Sequence, residues 1–223
     1  MPLKAGASGR VIELSANSLP VRQQGDRGTC VGFATAAAHE LARNENEVLS
    51  PEDVMWAAHE LMGRAIGDET SVELALFGLD AEEEATEAAW PYGEPHWNSG
   101  RPSSALQAGN RRPLPTWRRL EAASIPLIRK ELQADLPVIL TIGVVKPAWI
   151  NPPGGLIDAE PGRPVRGNHA VVVVGASDGG GSNQILRIKN SWGPEWADGG
   201  YASMSERYLQ SYNVCAHVLA GGN

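Results

Sequence analysis

Apolar positions change their rhythm about halfway along the chain. In Cys30–Arg43 (CVGFATAAAHELAR), Phe33, Ala37 and Leu41 recur at every fourth residue, as on a helix with one apolar face. Ser50-Pro51-Glu52-Asp53 then supplies an N-cap, a proline in the first turn and two acids at the positive end of a second helix. A third helix is expected over 71–77, stopped by Gly78, and a fourth over 125–134, closed before Pro137. Beyond it the runs become short and β-rich, at 138–145, 169–175, 185–189 and 201–204. Their separators are rich in Pro, Gly and Asp, notably 151–168 and the glycine turn 177–182. The pattern predicts an N-terminal segment (1–19), a helical lobe (20–110) and a β-rich lobe (111–223), with the polar stretch 97–117 as the crossover. The pentapeptide AAHEL occurs at both 37–41 and 57–61, but nothing around it repeats.

Composition narrows the class without naming an activity. Of the 223 residues, 42% are hydrophobic and 20% charged, a globular balance that excludes a disordered or fibrous chain. Lys and Arg number 19 against 26 acidic residues, a net charge of −7, so no basic footprint for nucleic acid exists. The longest apolar run, 170–174, is too short to cross a bilayer, and residues 1–15 hold no stretch suited to a signal peptide. Neither nucleic acid nor membrane is an expected partner. Two cysteines, Cys30 and Cys215, allow one disulfide at most, and a reducing, cytoplasmic location is the default.

Candidate chemistry starts at Cys30. A nucleophilic cysteine needs a thiolate, and a helix N-terminus brings partial positive charge to stabilise one. Cys30 opens the first helix after the turn-forming segment Gly25-Asp26-Arg27-Gly28-Thr29. His169 opens the strongest β run and is the candidate base; Asn190, ending the next run, is the candidate to orient it. Gln24 is placed to aim an amide N–H at the same spot and complete an oxyanion hole with the Cys30 backbone N–H. On its own, a cysteine on an Ala-rich helix reads as a buried structural thiol. The other three residues change that reading.

Gln24-Gly25-Asp26-Arg27-Gly28-Thr29-Cys30 resembles the Q-G-x-x-G-x-C signature of the papain-like cysteine proteases. Asn168-His169-Ala170-Val171 resembles their histidine motif, and KNSWG at 189–193 their asparagine motif. The separations from Cys30 are close to the roughly 130–150 residues expected for His and Asn in such enzymes. LSPE at 49–52, Trp90-Pro91-Tyr92, GGLI at 154–157 and Gly199-Gly200-Tyr201 are similar to further landmarks in the same order, so the resemblance covers most of the chain.

The resemblance implies an α+β fold, a helical lobe packed on an antiparallel β-barrel-like lobe with the active-site cleft between them. It implies a cysteine endopeptidase that hydrolyses peptide bonds through an acyl-enzyme. Cys30 is then the nucleophile and His169 the general base and acid, paired as ions at rest. Asn190 holds the imidazole, Trp192 shields that hydrogen bond, and Gln24 binds the oxyanion. Substrate contacts are expected at Gly67, Asn168, Ala170 and Trp192. Thr141, Ala170 and Ala220 are expected to line the main specificity pocket, with room for a bulky apolar side chain. No metal or other cofactor is implied, and the partners are a protein or peptide substrate and a regulatory or inhibitory protein.

The sequence also departs from the family. Arg27 stands where the family has a disulfide cysteine, and Cys215 resembles another whose partner position falls near Pro161. Arg27 reads equally as an electrostatic aid to Cys30 and as a surface residue. Val31 replaces the tryptophan that follows the nucleophile. Taking Met1 as a natural start leaves no room for the inhibitory pro-segment of ~100 residues usual in the family, which suggests a bacterial-type member restrained in another way. The segment 149–168 is a candidate cover for the cleft. His39-Glu40 and His59-Glu60 lack a second histidine four residues on, which rejects a zinc helix, and Cys215 with His217 has no second ligand pair. His96 reads as an exposed loop residue, and the acidic run 80–84 as a solvated face. Two rival functions keep the motifs: a transpeptidase or deamidase acting on one dedicated protein, and a catalytically silent binding module.

Overall fold

Alanine lets one helix run between the two halves of the molecule. The computed structural model describes residues 11–44, 46–63, 67–177 and 184–220. Most of the expected glycine turn at 177–182 therefore lies outside the described residues, as does the start of the N-terminal segment. Helix α1 (Cys30–Arg43) buries ten consecutive residues, Val31–Glu40, where a surface helix would bury one stripe. The small side chains of Ala34, Ala36, Ala37 and Ala38 allow close approach on every side. At Gly32 an added Cβ would stand 2.8 Å from the Pro51 carbonyl oxygen.

Helix α2 (Pro51–Met62) starts as its capping residues predict. Ser50 accepts from the Asp53 N–H at 3.3 Å, Pro51 occupies the first turn, and Gly63 closes the helix at φ +71°. Helix α3 (Val72–Glu82) is capped by Ser71 and runs straight through Gly78, the expected stop. Gly78 is instead the point where α3 presses on α2: its Cβ would lie 2.5 Å from the Ala57 carbonyl oxygen. The acidic run behind it divides. Residues 80–83 are exposed, but Glu84 is fully buried, hydrogen-bonded to His39 Nδ1 at 2.7 Å. Burial, with Asp53 and Glu40 nearby, pushes the Glu84 carboxyl well above its ordinary range.

The later helices are α4 (Ile125–Leu132), α5 (Lys146–Ile150) and α6 (Glu206–Tyr212). The strands are β1 (Ile12–Glu13), β2 (Glu84–Ala85), β3 (Arg111–Arg112), β4 (Thr116–Arg119), β5 (Val138–Gly143), β6 (Leu156–Ile157), β7 (Asn168–Ser177), β8 (Ile185–Lys189), β9 (Tyr201–Ser205) and β10 (Asn213–Ala220). Eight of them form one sheet in the order β4-β10-β5-β7-β8-β9-β6, with β1 added beside the far half of β7. Pairing is antiparallel except between β6 and β9, and the described strands do not close into a barrel. β7 packs against both α1 and α4, which is why its sequence is a continuous apolar run with only Asn168 exposed. β2 and β3 form a separate small ladder beside the first helices, and Pro113 just after it accepts from His39 Nε2 at 3.1 Å. Gly200 permits a close crossing, since a Cβ there would fall 2.3 Å from a Val21 methyl.

Two expected outcomes test this packing. Gly78→Ala should destabilise the fold by about 1–3 kcal/mol by forcing α2 and α3 apart; an unchanged urea midpoint would contradict the contact. His59 lies flat on Trp97, ring centroids 3.9 Å apart, with both ring nitrogens buried and unpartnered. Burial lowers its pKa below the usual value of 6.5. The unfolded chain therefore takes up the proton first, and the histidine's share of stability is complete above pH 6.5 and lost as pH falls below it. His59→Phe should keep the ring stack, gain about 1 kcal/mol at neutral pH and flatten the acid limb of the stability profile measured by urea unfolding.

Candidate active site

Cys30 is the first residue of α1 and His169 the second of β7, so the packing of this helix on this strand brings the two to one place. Both line a cavity of about 470 Å³. Asn190 follows β8, and its Oδ1 lies 2.7 Å from His169 Nε2. Since Oδ1 only accepts, Nε2 carries the proton, and Nδ1 is left as the basic nitrogen of the neutral ring. Asn190 Oδ1 also accepts from the Ser191 N–H at 2.8 Å, which fixes the amide.

Aromatic rings hold the imidazole in place. Trp192 lies over it with centroids 4.9 Å apart, and Trp149 meets it edge-on at 5.5 Å. Trp149 is fully buried; its Nε1 donates to the Tyr208 hydroxyl at 2.7 Å, which donates in turn to the Gly143 carbonyl at 2.8 Å. The segment 149–168 thus supports the histidine at one end and forms cavity wall at the other, at Gly167 and Asn168. Its middle is tied to the α6 end of the sheet, where Asp158 accepts from Ser205 and Arg207.

Gln24 arrives by backbone pairing. Its N–H donates to the Ser191 carbonyl at 2.8 Å, and Gln23 bridges to Trp192. The side-chain amide is pinned at both ends: Oε1 accepts from Ser191 Oγ at 2.7 Å, and Nε2 donates to the Arg27 carbonyl at 2.8 Å. One Nε2 hydrogen remains beyond that bond. The Tyr92 hydroxyl donates to the Gln24 carbonyl at 2.7 Å, so Thr29 Oγ1, also at 2.7 Å, must be the donor to Tyr92.

Arg27 is neither a free charge beside Cys30 nor a surface residue. Its guanidinium grips the Glu52 carboxylate, bonds Asp68 through Nε and Nη2 at 3.2 Å each, and covers the Tyr92 ring at 4.9 Å. Glu52 is fully buried and also accepts from the Gly93 N–H at 2.9 Å and the Trp97 N–H at 2.8 Å. One carboxylate thereby joins the nucleophile loop, α2 and the 93–97 turn, while Asp68 ties in the loop before α3.

Burial sets the electrostatics. It pushes the Cys30 thiol up, against the pull of the Ala170, Val31 and Cys30 backbone N–H groups, and it lowers His169 to about 4 against the Asn190 bond. The environment of each group taken singly favours the uncharged form.

The other expected site residues divide. Thr141, Asn168 and Ala170 line the cavity. Gly67 does not: it is exposed at φ +101° in the turn before Asp68. Ala220 sits at the far end of β10 opposite Thr116, outside the cavity wall. Cys215 pairs with Thr141 across β5 and β10, and strand alternation puts Cys215 and His217 on one face and Ala220 on the other. The pocket wall expected of Ala220 is made by Cys215 and His217. Sequence reasoning also missed Trp149, Tyr92, Glu52 and Asp68 as supports. Trp90-Pro91-Tyr92 and the LSPE run ending at Glu52 carried a signal, as landmarks of unstated purpose.

Residues 13–221 match the profile of the papain family cysteine proteases, and the chain belongs to that family. It is 26% identical over 205 residues to chicken (Gallus gallus) cathepsin K, and 37% identical over 82 residues to papaya proteinase 4 of Carica papaya. These alignments take in 87% and 37% of the chain, and 58% and 23% of the respective relatives' lengths. Among solved structures it is similar to xylellain, a cysteine protease from Xylella fastidiosa, with a TM-score of 0.78 over 100% of this chain and 95% of that one at 18% identity. Digestive procathepsin L 3 of Tenebrio molitor gives a TM-score of 0.74 at 20% identity, over 99% and 73% of the two chains. At those identities the likeness is one of fold, and it agrees with the α+β two-lobe architecture.

The Glu52 junction has a measurable consequence. Glu52→Ala leaves the Arg27 guanidinium and two buried N–H groups without their acceptor, and should cost about 3–5 kcal/mol in urea unfolding. Glu52→Gln retains an acceptor and should cost clearly less. Equal, small losses for both would show that the junction is not holding the loops.

Proposed function

We propose that the protein is a cysteine endopeptidase working through Cys30, His169 and Asn190. The observation that carries the reading is the 2.7 Å His169 Nε2–Asn190 Oδ1 bond on a ring that shares its cavity with Cys30. His169 Nδ1 takes the proton from Cys30 Sγ, and the thiolate attacks the substrate's carbonyl carbon. Burial opposes either charge alone, so thiolate and imidazolium form together in one proton transfer, and their attraction offsets the desolvation. The oxyanion is held by the remaining Gln24 Nε2–H and the Cys30 backbone N–H. The imidazolium then gives its proton to the leaving amine. Water, activated by the same nitrogen, releases the acyl group from sulfur. Every step is proton transfer and acyl transfer, for which this chain's own side chains suffice.

The proposed substrate is a protein or peptide lying across the cavity, and a second protein is proposed to restrain it. A reducing, cytoplasmic setting is part of the same proposal. It is supported by two free thiols and by an ionic junction at Arg27, where the family has a cysteine.

The first test is the rate of Cys30 alkylation by iodoacetamide against pH, followed by intact mass in the wild type and His169→Ala. The wild type should react rapidly below pH 7. Without the imidazole, burial acts unopposed, and the reactivity should move to or above the free-thiol range near ~8.5. Slow labelling unaffected by the substitution would sink the Cys–His pair. Gln24→Ala should lower kcat on a cleaved peptide by roughly 10²–10³ while leaving the alkylation profile in place.

A further inference from the structure

The cavity that holds Cys30 has one chemically distinct wall. The segment before α3 and the first turn of that helix contribute two carboxylates to its lining, Glu69 and Glu73. Among the described residues, no Lys or Arg lines the cavity. Glu69 sits close enough to Cys30 to disfavour its thiolate electrostatically. Glu73 accepts from His217 Nε2 at 3.3 Å, while Arg119, outside the lining, reaches it at 2.9 Å. His217 has an almost wholly buried side chain, and burial lowers its pKa against the pull of Glu73, which disfavours its charged form. The opposing influences are small. Arg119 and Glu73 are both substantially exposed, so solvent screens that pair. The first turn of α3 carries about half a positive charge, and the Ser71 hydroxyl already occupies the Leu74 N–H there.

The same lining carries apolar side chains, those of Val31, Val72, Ala170 and Val214. A side chain with an aliphatic stem and a cationic head matches both parts: the stem covers the valines and the head reaches the carboxylates. A leucine would gain nothing from the carboxylates, and an acidic side chain would be repelled. We infer that this cavity selects a lysine or arginine side chain of the peptide substrate through Glu69 and Glu73, in place of the bulky apolar side chain expected from the sequence. The inference rests on the endopeptidase reading for its substrate, but the charge selectivity of the cavity is measurable without any cleavage.

The experiment compares two methanethiosulfonate reagents of similar size, one ending in an ammonium and one in a sulfonate. In each, a cysteine thiolate attacks the sulfenyl sulfur, a disulfide forms and methanesulfinate leaves. Peptide mass mapping separates modification at Cys30 from that at Cys215. The cationic reagent should modify Cys30 roughly tenfold faster than the anionic one if both carboxylates act on the approaching reagent. That ratio should fall several-fold in the Glu69→Gln/Glu73→Gln double variant and shrink with added salt. Equal rates, or a faster anionic reagent, would overturn the inference while leaving the peptidase reading intact.

A second arm uses fluorogenic peptides that differ only at the residue preceding the one whose carbonyl is attacked. Lys and Arg should exceed Leu and Glu in kcat/KM, and the double variant should lose that advantage. A preference for Leu would overturn the inference even with a favourable labelling ratio. Complete absence of cleavage would count against the peptidase reading, and the labelling ratio would still decide the charge of the cavity.

Discussion

The contact between α1 and β7 is the constraint from which the site follows. α1 starts at Cys30 and β7 carries His169 one residue from its start, so two residues far apart in the chain reach one cavity through a single packing interface. Both sides of it are made of small or β-branched residues: four buried alanines on the helix, and Ala170 with four valines on the strand. Such side chains have few rotamers and leave little slack, so the helix approaches closely and stays in register. The same burial draws both reactive groups out of water, so their electrostatics are a consequence of the scaffold's packing.

Around that interface, polar staples hold the loops that packing alone would leave loose. Glu52 collects the nucleophile loop, α2 and the 93–97 turn on one buried carboxylate. Glu40 does similar work at the other end of the lobe, accepting from the Leu49 N–H at 2.9 Å and from Arg22 at 3.0 Å. Asp53 joins the Ala85 N–H to Arg101, each at 2.7 Å. Buried charges of this kind add little net stability against an apolar core of the same shape, yet removing one partner is costly because the other is left stranded. Their contribution is therefore to single out one arrangement of loops, which is what a site needs when Cys30, His169 and Asn190 come from three separate segments.

Burial also shapes reactivity. A solvated thiol and imidazole would titrate independently near their ordinary values; here each is held toward neutrality, and charge separation costs least when it is shared. Trp192 and Trp149 around His169 keep water from weakening the bond to Asn190, in a setting where a hydrogen bond counts for more than it does in water.

Local signals determined a good part of this protein. The helix from Cys30 to Arg43, the cap at Ser50 and the strand at 185–189 were readable because period and capping are properties of neighbouring residues. Gln24, Cys30, His169 and Asn190 were readable because their motifs are short and contiguous. What the sequence withheld depended on which distant segment came alongside. Gly78 looks like a helix stop until Ala57 is seen against it, and Glu84 looks solvated until His39 is found beneath it. Arg27 shows its purpose only once Glu52 and Asp68 meet it. The pocket wall passed from Ala220 to Cys215 and His217 because the register of β10 on β5 is a property of the assembled sheet, and one residue of alternation turns a side chain to the opposite face. Pairing across long separations is decided by the sum of many packing contacts, and no window of sequence contains that sum.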